Sequence, residues 1–486
     1  SGQESTKITA SQLNNTKGKI VSTQALTTTV SNDLDNSEGT IQGKSLTAQA
    51  KTLTNNNGQL VSQSGDLYLV ADSINNQGDN AYIQSGNELV IRSEQLTNSD
   101  SATIMAKGVA VIEAIKALDN KTNAVIASDK DMVLQAGTLS NAAQIAAIKQ
   151  NLTIRATSVD NQTDGQISAA GNTLITTSQD VKNQGAIAAS KQLIVQSNGA
   201  INNKAGVLSG SAVGLSSGTD INNEGGLIAQ TSADQTLSID AKGTVNNQNT
   251  KTNNAQKANE QTGILANGST SVRAGSLNNQ SGTISAKQLT IDTNSKETVN
   301  NASGLLQASE GLTVTASNSD ALNNQGGQIL ADTVNLTVGD ASRGRIDNNT
   351  AGSLIQAGTN AVITTGTLNN QNSKQDGDDK TQGIIASDSI DITASTINNQ
   401  SGQLLANNKV TLTAANQVNN QAGNIQSNDI AITDANLTNR QLTVNNDSGR
   451  ITAGNNTTIR SKYMSNTNGE ILANERADIN VIDDIS

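Results

Sequence analysis

Short runs of alternating aliphatic and polar residues fill this chain, and they recur at a fixed period. In LNNQSGTISAKQLTIDTNSKETV, from Leu277, Ile284 and Ala286 alternate with polar residues, and Leu289, Ile291 and Thr293 then do so again. Alternation with period two over four or five residues marks a half-buried strand. The unit INNQSGQLLANNKVTLTAANQV, from Ile397, has the same grammar through Gly402, Leu404, Ala406, Val410, Leu412 and Ala414. A corner signature opens each unit: an aliphatic residue followed by Asn-Asn, or by a polar residue and then Asn. Its aliphatic member is Leu13, Leu34, Leu53 (shifted by one residue), Ile74, Leu96, Leu118, Leu139, Val159, Val181, Ile201, Ile221 and Val245, then Leu277, Val299, Leu322, Ile346, Leu368, Ile397, Val418, Leu437 and Met464. Most spacings are 19 to 24 residues; three are longer, 32 after Val245, 29 after Leu368 and 27 after Leu437.

Three strands in about 21 residues do not pair as hairpins, because most of the turns lack the Asn-Gly pairing that type I′ turns demand. The pattern predicts an all-β fold, a parallel β-helix of three sheets, each coil stacking on the last at about 4.8 Å. Parallel crossovers are overwhelmingly right-handed, so a right-handed helix is expected. Residues 1–486 read as one continuous solenoid of roughly 22 coils, a rod on the order of 105 Å. Ile284, Leu289, Ile291, Leu404, Val410 and Leu412 are expected to point inward. Asn at the same corner of successive coils can form amide ladders, and Asn tolerates the left-handed backbone that tight corners require. The stretch ATIMAKGVAVIEAIKALDN (Ala102 to Asn120) reads as one more coil, with Ile104, Ala106, Val109, Val111 and Ile115 inward and Leu118-Asp119-Asn120 as its corner. By composition alone it also fits a helix.

Composition sharpens this picture. Pro, Cys, His, Phe and Trp are absent, and Tyr68, Tyr82 and Tyr463 are the only aromatics. A narrow interior between close sheets takes Ala, Val, Ile and Leu but not large rings, and Pro cannot donate to the coil beside it. Without Cys there is no disulfide or thiolate metal site, and without His the commonest general base and metal ligand are missing. The net charge of -11 argues against nucleic acid and anionic membrane as partners. No apolar run reaches 18 residues, so no transmembrane helix is expected. The opening SGQESTKITA lacks the basic and apolar regions of a signal peptide.

Candidate chemistry is sparse. Gly214-Leu215-Ser216-Ser217-Gly218 matches a nucleophile elbow, but no triad forms without His, and an inward Leu215 leaves Ser216 simply outward. Gly43-Lys44-Ser45 matches the end of a P-loop, yet Glu38 stands where its first Gly belongs. QDGDDK has no Glu to close a calcium loop. Sequons such as Asn279-Gln280-Ser281 and Asn399-Gln400-Ser401 arise where Asn-rich corners meet Ser. Polysaccharide-active β-helices need clustered carboxylates or Lys/Arg in a groove, usually with aromatic platforms; no such cluster is evident. Ice-binding Thr-x-Thr arrays are broken by Asp240 and Asp391. No catalytic residue, cofactor, metal or small-molecule substrate is expected. The residues added by the three long spacings, 248–261, 372–382 and 439–447, are expected just after the Asn corner and so on one edge. Loops on a rigid scaffold are where binding concentrates, which makes Lys251, Lys257, Lys374, Asp376, Asp378, Asp379, Lys380 and Arg440 the candidate contacts.

The units LNNQGGQILADTVNLTV, LNNQSGTISAKQLTIDT and INNQSGQLLANNKVTLTA resemble the haemagglutinin repeats of large two-partner-secreted exoproteins, among them filamentous haemagglutinin adhesins and the toxin-delivery exoproteins of contact-dependent growth inhibition. The resemblance covers essentially the whole chain. It implies a right-handed β-helical shaft, exported through an outer-membrane partner and displayed outside a Gram-negative cell. The N-P-N motifs of the family's secretion domain are absent, and INNEG from Ile221 does not match the V-E-N-N motif that precedes a toxin. An internal segment is therefore expected, a non-catalytic shaft that projects a distal receptor-binding or toxin region. The alternative is an adhesin segment that binds a host or target-cell surface through its own loops.

Overall fold

The computed structural model describes residues 5–251, 261–373 and 382–485, with side chains through residue 483. Among the described residues every named strand pair is parallel, and none lies in a helix. The fold is a β-solenoid of about 22 turns set about 21 residues apart. Within 102–120 the strands Thr103–Ala106 and Ala110–Asn120 form, as the coil reading expects. Contacts group the chain into two compact units, residues 1–222 with 226–231, and 223–225 with 232–486.

In the second unit one coil shows the plan. The first strand is Thr283–Ala286, the middle strand Leu289–Thr293 and the corner strand Val299–Asn300. Each pairs in register with its copy one coil on, Leu305–Ala308, Gly311–Ala316 and Leu322–Asn323. Ile284, Leu289, Ile291, Leu404, Val410 and Leu412 are all buried, as expected. Ile291 sits between Val272 and Val314, and Leu412 between Ile392 and Ile432. Each such side chain contributes about 1.5–3 kcal/mol by leaving water. Inward hydroxyls are tolerated where they find no partner: Thr270, Thr365 and Thr457 bury an unpaired Oγ1.

Part of the first unit bends differently, as do the coils of Ser389–Asn398 and Lys409–Asn419 in the second. From Leu67–Gln77 to Leu152–Asn161 the middle and corner strands run on as one, and from Thr173–Thr177 they separate again. Phase in the coil from Ala110 differs from expectation. Ala110, Ile112, Ala114 and Leu118 are buried, whereas Val109 and Val111 are half-buried and Ile115 is 65% exposed. The cause is the register with Leu89 and Ile91, together with one extra residue that bulges between Ala114 and Ala117. Leu53 pairs directly with Leu34 and Ile74, so its corner needs no shift.

Candidate functional site

Every coil is closed by one asparagine. In the first unit Asn15, Asn36, Asn55, Asn76, Asn98, Asn120, Asn141, Asn161 and Asn183 each donate Nδ2 to the Oδ1 of the next, the last acceptor being Asn203, at 2.7–2.9 Å. In the second unit the same chain runs from Asn223 through Asn247, Asn279, Asn301, Asn324, Asn348, Asn370, Asn399, Asn420 and Asn446 to Asn466. Asn301 shows why burial is tolerated. Its Oδ1 accepts from Asn279 at 2.8 Å, and its Nδ2 donates to Asn324 Oδ1 at 2.7 Å and to the Gln328 carbonyl at 3.2 Å. An amide with both ends bonded escapes the desolvation penalty of a lone one.

The ladder asparagines do not supply the left-handed backbone, contrary to expectation. Positive φ falls two residues later, at Ser281, Ser303 and Ser401, and the following residue N–H closes the turn onto the ladder Asn carbonyl. Gly304 then follows because there is no room for a Cβ, which would stand 2.3 Å from the Asn279 carbonyl oxygen. The sequons at Asn279 and Asn399 are closed in the fold, since each Nδ2 is buried and bonded.

Two of the long spacings in the second unit follow this corner, between Asn247 and Gly263 and between Asn370 and Gly383. Where the coil from Asn301 has Gly304, the corners of Asn247 and Asn370 have Thr250 and Ser373. Thr250 Oγ1 donates to the Asn247 carbonyl and accepts from Thr283 N–H, and Thr262 Oγ1 donates to the Thr250 carbonyl at 2.7 Å. Ser373 Oγ likewise donates to the Asn370 carbonyl. Lys251 reaches the Ser303 carbonyl at 3.3 Å. Lys257, Lys374, Asp376, Asp378, Asp379 and Lys380 lie outside the described residues.

The third insertion is misplaced in the sequence reading. Val444, not Leu437, pairs with Val418, and Asn446 is the ladder residue, while Leu437 is 60% exposed. The extra residues therefore precede the Asn corner, between Asn424–Asp434 and Thr443–Asn445, on a different edge from the other two. Of the expected 439–447, residues 443–445 are strand. Buried Asp434 holds this loop by accepting from the N–H groups of Asn436, Gln441 and Leu442. Arg440 Nη1 braces the loop against Asn480, donating to its Oδ1 at 2.7 Å. The same bend carries an excursion that sequence reading missed, Gly339–Gly344, where Asp340 bridges Arg343. The Ser342 hydroxyl and N–H, with Arg343, hold the Asp340 carboxyl well below the usual range.

Elsewhere the surface offers little chemistry. Ser216 is exposed beside buried Leu215 on a strand, with no elbow. Gly43 ends a strand without any helix after it. Asp391 interrupts the outward row between Val362 and Thr411, so no Thr array forms. An open cleft of about 560 Å³ in the first unit, where the bend changes type, presents Asp160, Asp180 and Lys182. Among the described residues no three acidic side chains gather as a metal site.

Parallel coils closed by a single-amide corner define a repeat solenoid. The chain belongs to the haemagglutinin-repeat family, whose profile matches residues 175–249, 228–296, 284–345, 331–388, 385–461 and 441–482. No curated protein and no solved structure matches the chain. Repeat family and fold are those of an adhesin-type exoprotein shaft.

Proposed function

We propose that the chain is a non-catalytic, extracellular spacer of a secreted bacterial exoprotein, which carries a distal receptor-binding or toxin region away from the producing cell. The observation that supports this most is the ladder. A polar chain of bonded amides runs through each unit without interruption, so that each coil is held chiefly by its neighbours. Such a design carries tension and reach rather than chemistry. Membership in a repeat family typical of secreted surface adhesins supports an outer-surface location and passage through an outer-membrane two-partner transporter. The test is to replace a block of whole coils within 279–324 by an equal number of coils duplicated from 399–446 in the full-length polypeptide. A spacer retains attachment or delivery with the block exchanged and weakens only when its length changes. Loss of activity on an equal-length exchange would refute the reading.

A second reading has one observation in its favour: two insertions leave the same corner, each at a hydroxyl-latched mouth. In that reading the loops bind a target-cell surface. Deleting 252–260 and 374–381 together then abolishes attachment while the coils stay folded. Unchanged attachment removes it.

A further inference from the structure

The outward row of the middle strands differs sharply between the two units. In the second unit it reads Ser271, Thr290, Thr313, Asn335, Val362 and Asp391. The fold thus accepts hydroxyls, an amide and a carboxylate at this position. In the first unit the same row starts with Lys7, Thr27 and Thr47, then reads Tyr68, Val90, Val111, Val133, Leu174 and Ile194, interrupted at Thr153, and gives way to Gly214. Tyr68 is 39% exposed and the other five are half-buried at an outward position. Coil stacking does not require this apolar row, since the other unit stacks without it. A row of outward aliphatics with one face to water marks an interaction surface.

The edges of the row are charged, with opposite bias. Two residues before it stand Asp66, Glu88 and Asp131; two residues after it stand Arg92 and Arg155, with Glu113 3.8 Å from Arg92. We propose that this face docks a second copy of the chain, side by side and pointing the same way. A two-fold axis along the stacking direction sets each apolar residue against its own equivalent and exchanges the edges. Arg92 then opposes Glu88, Arg155 stands beside Asp131, and no like charges lie directly opposite. Turning the partner end for end brings Arg-bearing edge to Arg-bearing edge and loses the Arg92–Glu88 opposition. Sheets packed this way approach to about 10 Å, close enough for valine and leucine side chains to interdigitate. The patch is about 29 Å by 13 Å at the spacings of paired strands and successive residues. That is roughly 400 Å² a side, the size of a weak, reversible interface.

The experiment is sedimentation of the full 486-residue chain across a concentration series. The proposal expects a monomer when dilute and a dimer at roughly micromolar to millimolar concentration. The double variant Val111→Lys, Val133→Lys should stay monomeric throughout, with the wild-type β signal and melting temperature, because Asp391 already occupies this row in a folded coil. Glu88→Arg alone and Arg92→Glu alone should each weaken association by roughly fivefold. Combined, they should restore it, which a purely structural role would not do. A chain that is monomeric at every concentration, or a dimer indifferent to the two lysines, overturns the proposal. A monomer whose face instead binds lipid vesicles or an added peptide overturns it as well, by naming another occupant.

Discussion

Replacing one ladder asparagine tests the physics of the corner most sharply, and Asn301 has the clearest partners. Truncation by Asn301→Ala removes three hydrogen bonds, at 2.8, 2.7 and 3.2 Å. At about 1 kcal/mol each, with a further 1–3 kcal/mol for leaving Asn324 Oδ1 buried without this donor, the change costs about 4–6 kcal/mol. Asn301→Asp is more telling because it keeps the shape. The carboxylate still accepts from Asn279, but it presents an oxygen to Asn324 Oδ1 with no proton between them, and it buries a charge. Burial and that contact raise its folded pKa above the unfolded value of about 3.9. The sign follows from linkage: a group whose folded pKa is raised holds its stability below the unfolded pKa and loses it as pH rises through the folded pKa. Relative to wild type at the same pH, the variant should therefore be nearly normal near pH 3–4 and several kcal/mol weaker near pH 7. The assay is hydrogen exchange with mass readout, paired with thermal melts at both pH values. Protection should fall first in the coils around 279–324, because coils contact only their neighbours. A variant as stable as wild type near neutrality, or one equally damaged at both pH values, would refute the reasoning.

Thr270→Val should stabilise the fold by about 1 kcal/mol in chemical denaturation, since it removes a buried, unpartnered hydroxyl between Leu237 and Leu289. Ile291→Asp should cost several kcal/mol near neutral pH and raise exchange first between Val272 and Val314, its stacking neighbours. Gly304→Ala should lower the melting temperature, because a methyl group 2.3 Å from the Asn279 carbonyl forces the corner open. Asp434→Ala should free the Gln441 and Leu442 amides and speed proteolysis within 435–442 while leaving the strands protected.

Much of this architecture could be read from local grammar, and its failures have identifiable physical origins. Ile284, Ile291 and Leu412 were legible because polar residues occupy the opposite phase of the alternation. Val109, Val111 and Ile115 were not, because aliphatics fill both phases and only pairing with Leu89 and Ile91 decides between them. Leu437-Thr438-Asn439 imitates the corner signature that Val444-Asn445-Asn446 fulfils, and three residues cannot reveal which one meets Asn420. The left-handed residue two places after the ladder Asn follows from turn closure, which spacing does not show. The apolar outward row of the first unit was hidden for another reason. Its members lie about 20 residues apart, and they become a surface only when the coils are superimposed. Aligning units on the ladder asparagine would have exposed it.

Stacking itself is the central claim, and spin-label distances within the second unit measure it directly. The chain has no Cys, so paired substitutions label cleanly. Thr290 and Thr411 lie on one outward row five coils apart, and Ser271 and Thr458 lie on it eight coils apart. Pulsed electron paramagnetic resonance should give backbone separations near 24 Å and 38 Å, growing by about 4.8 Å per coil. Distances that fail to grow with coil number, or that fit antiparallel pairing of neighbouring strands, would contradict the stacked parallel solenoid.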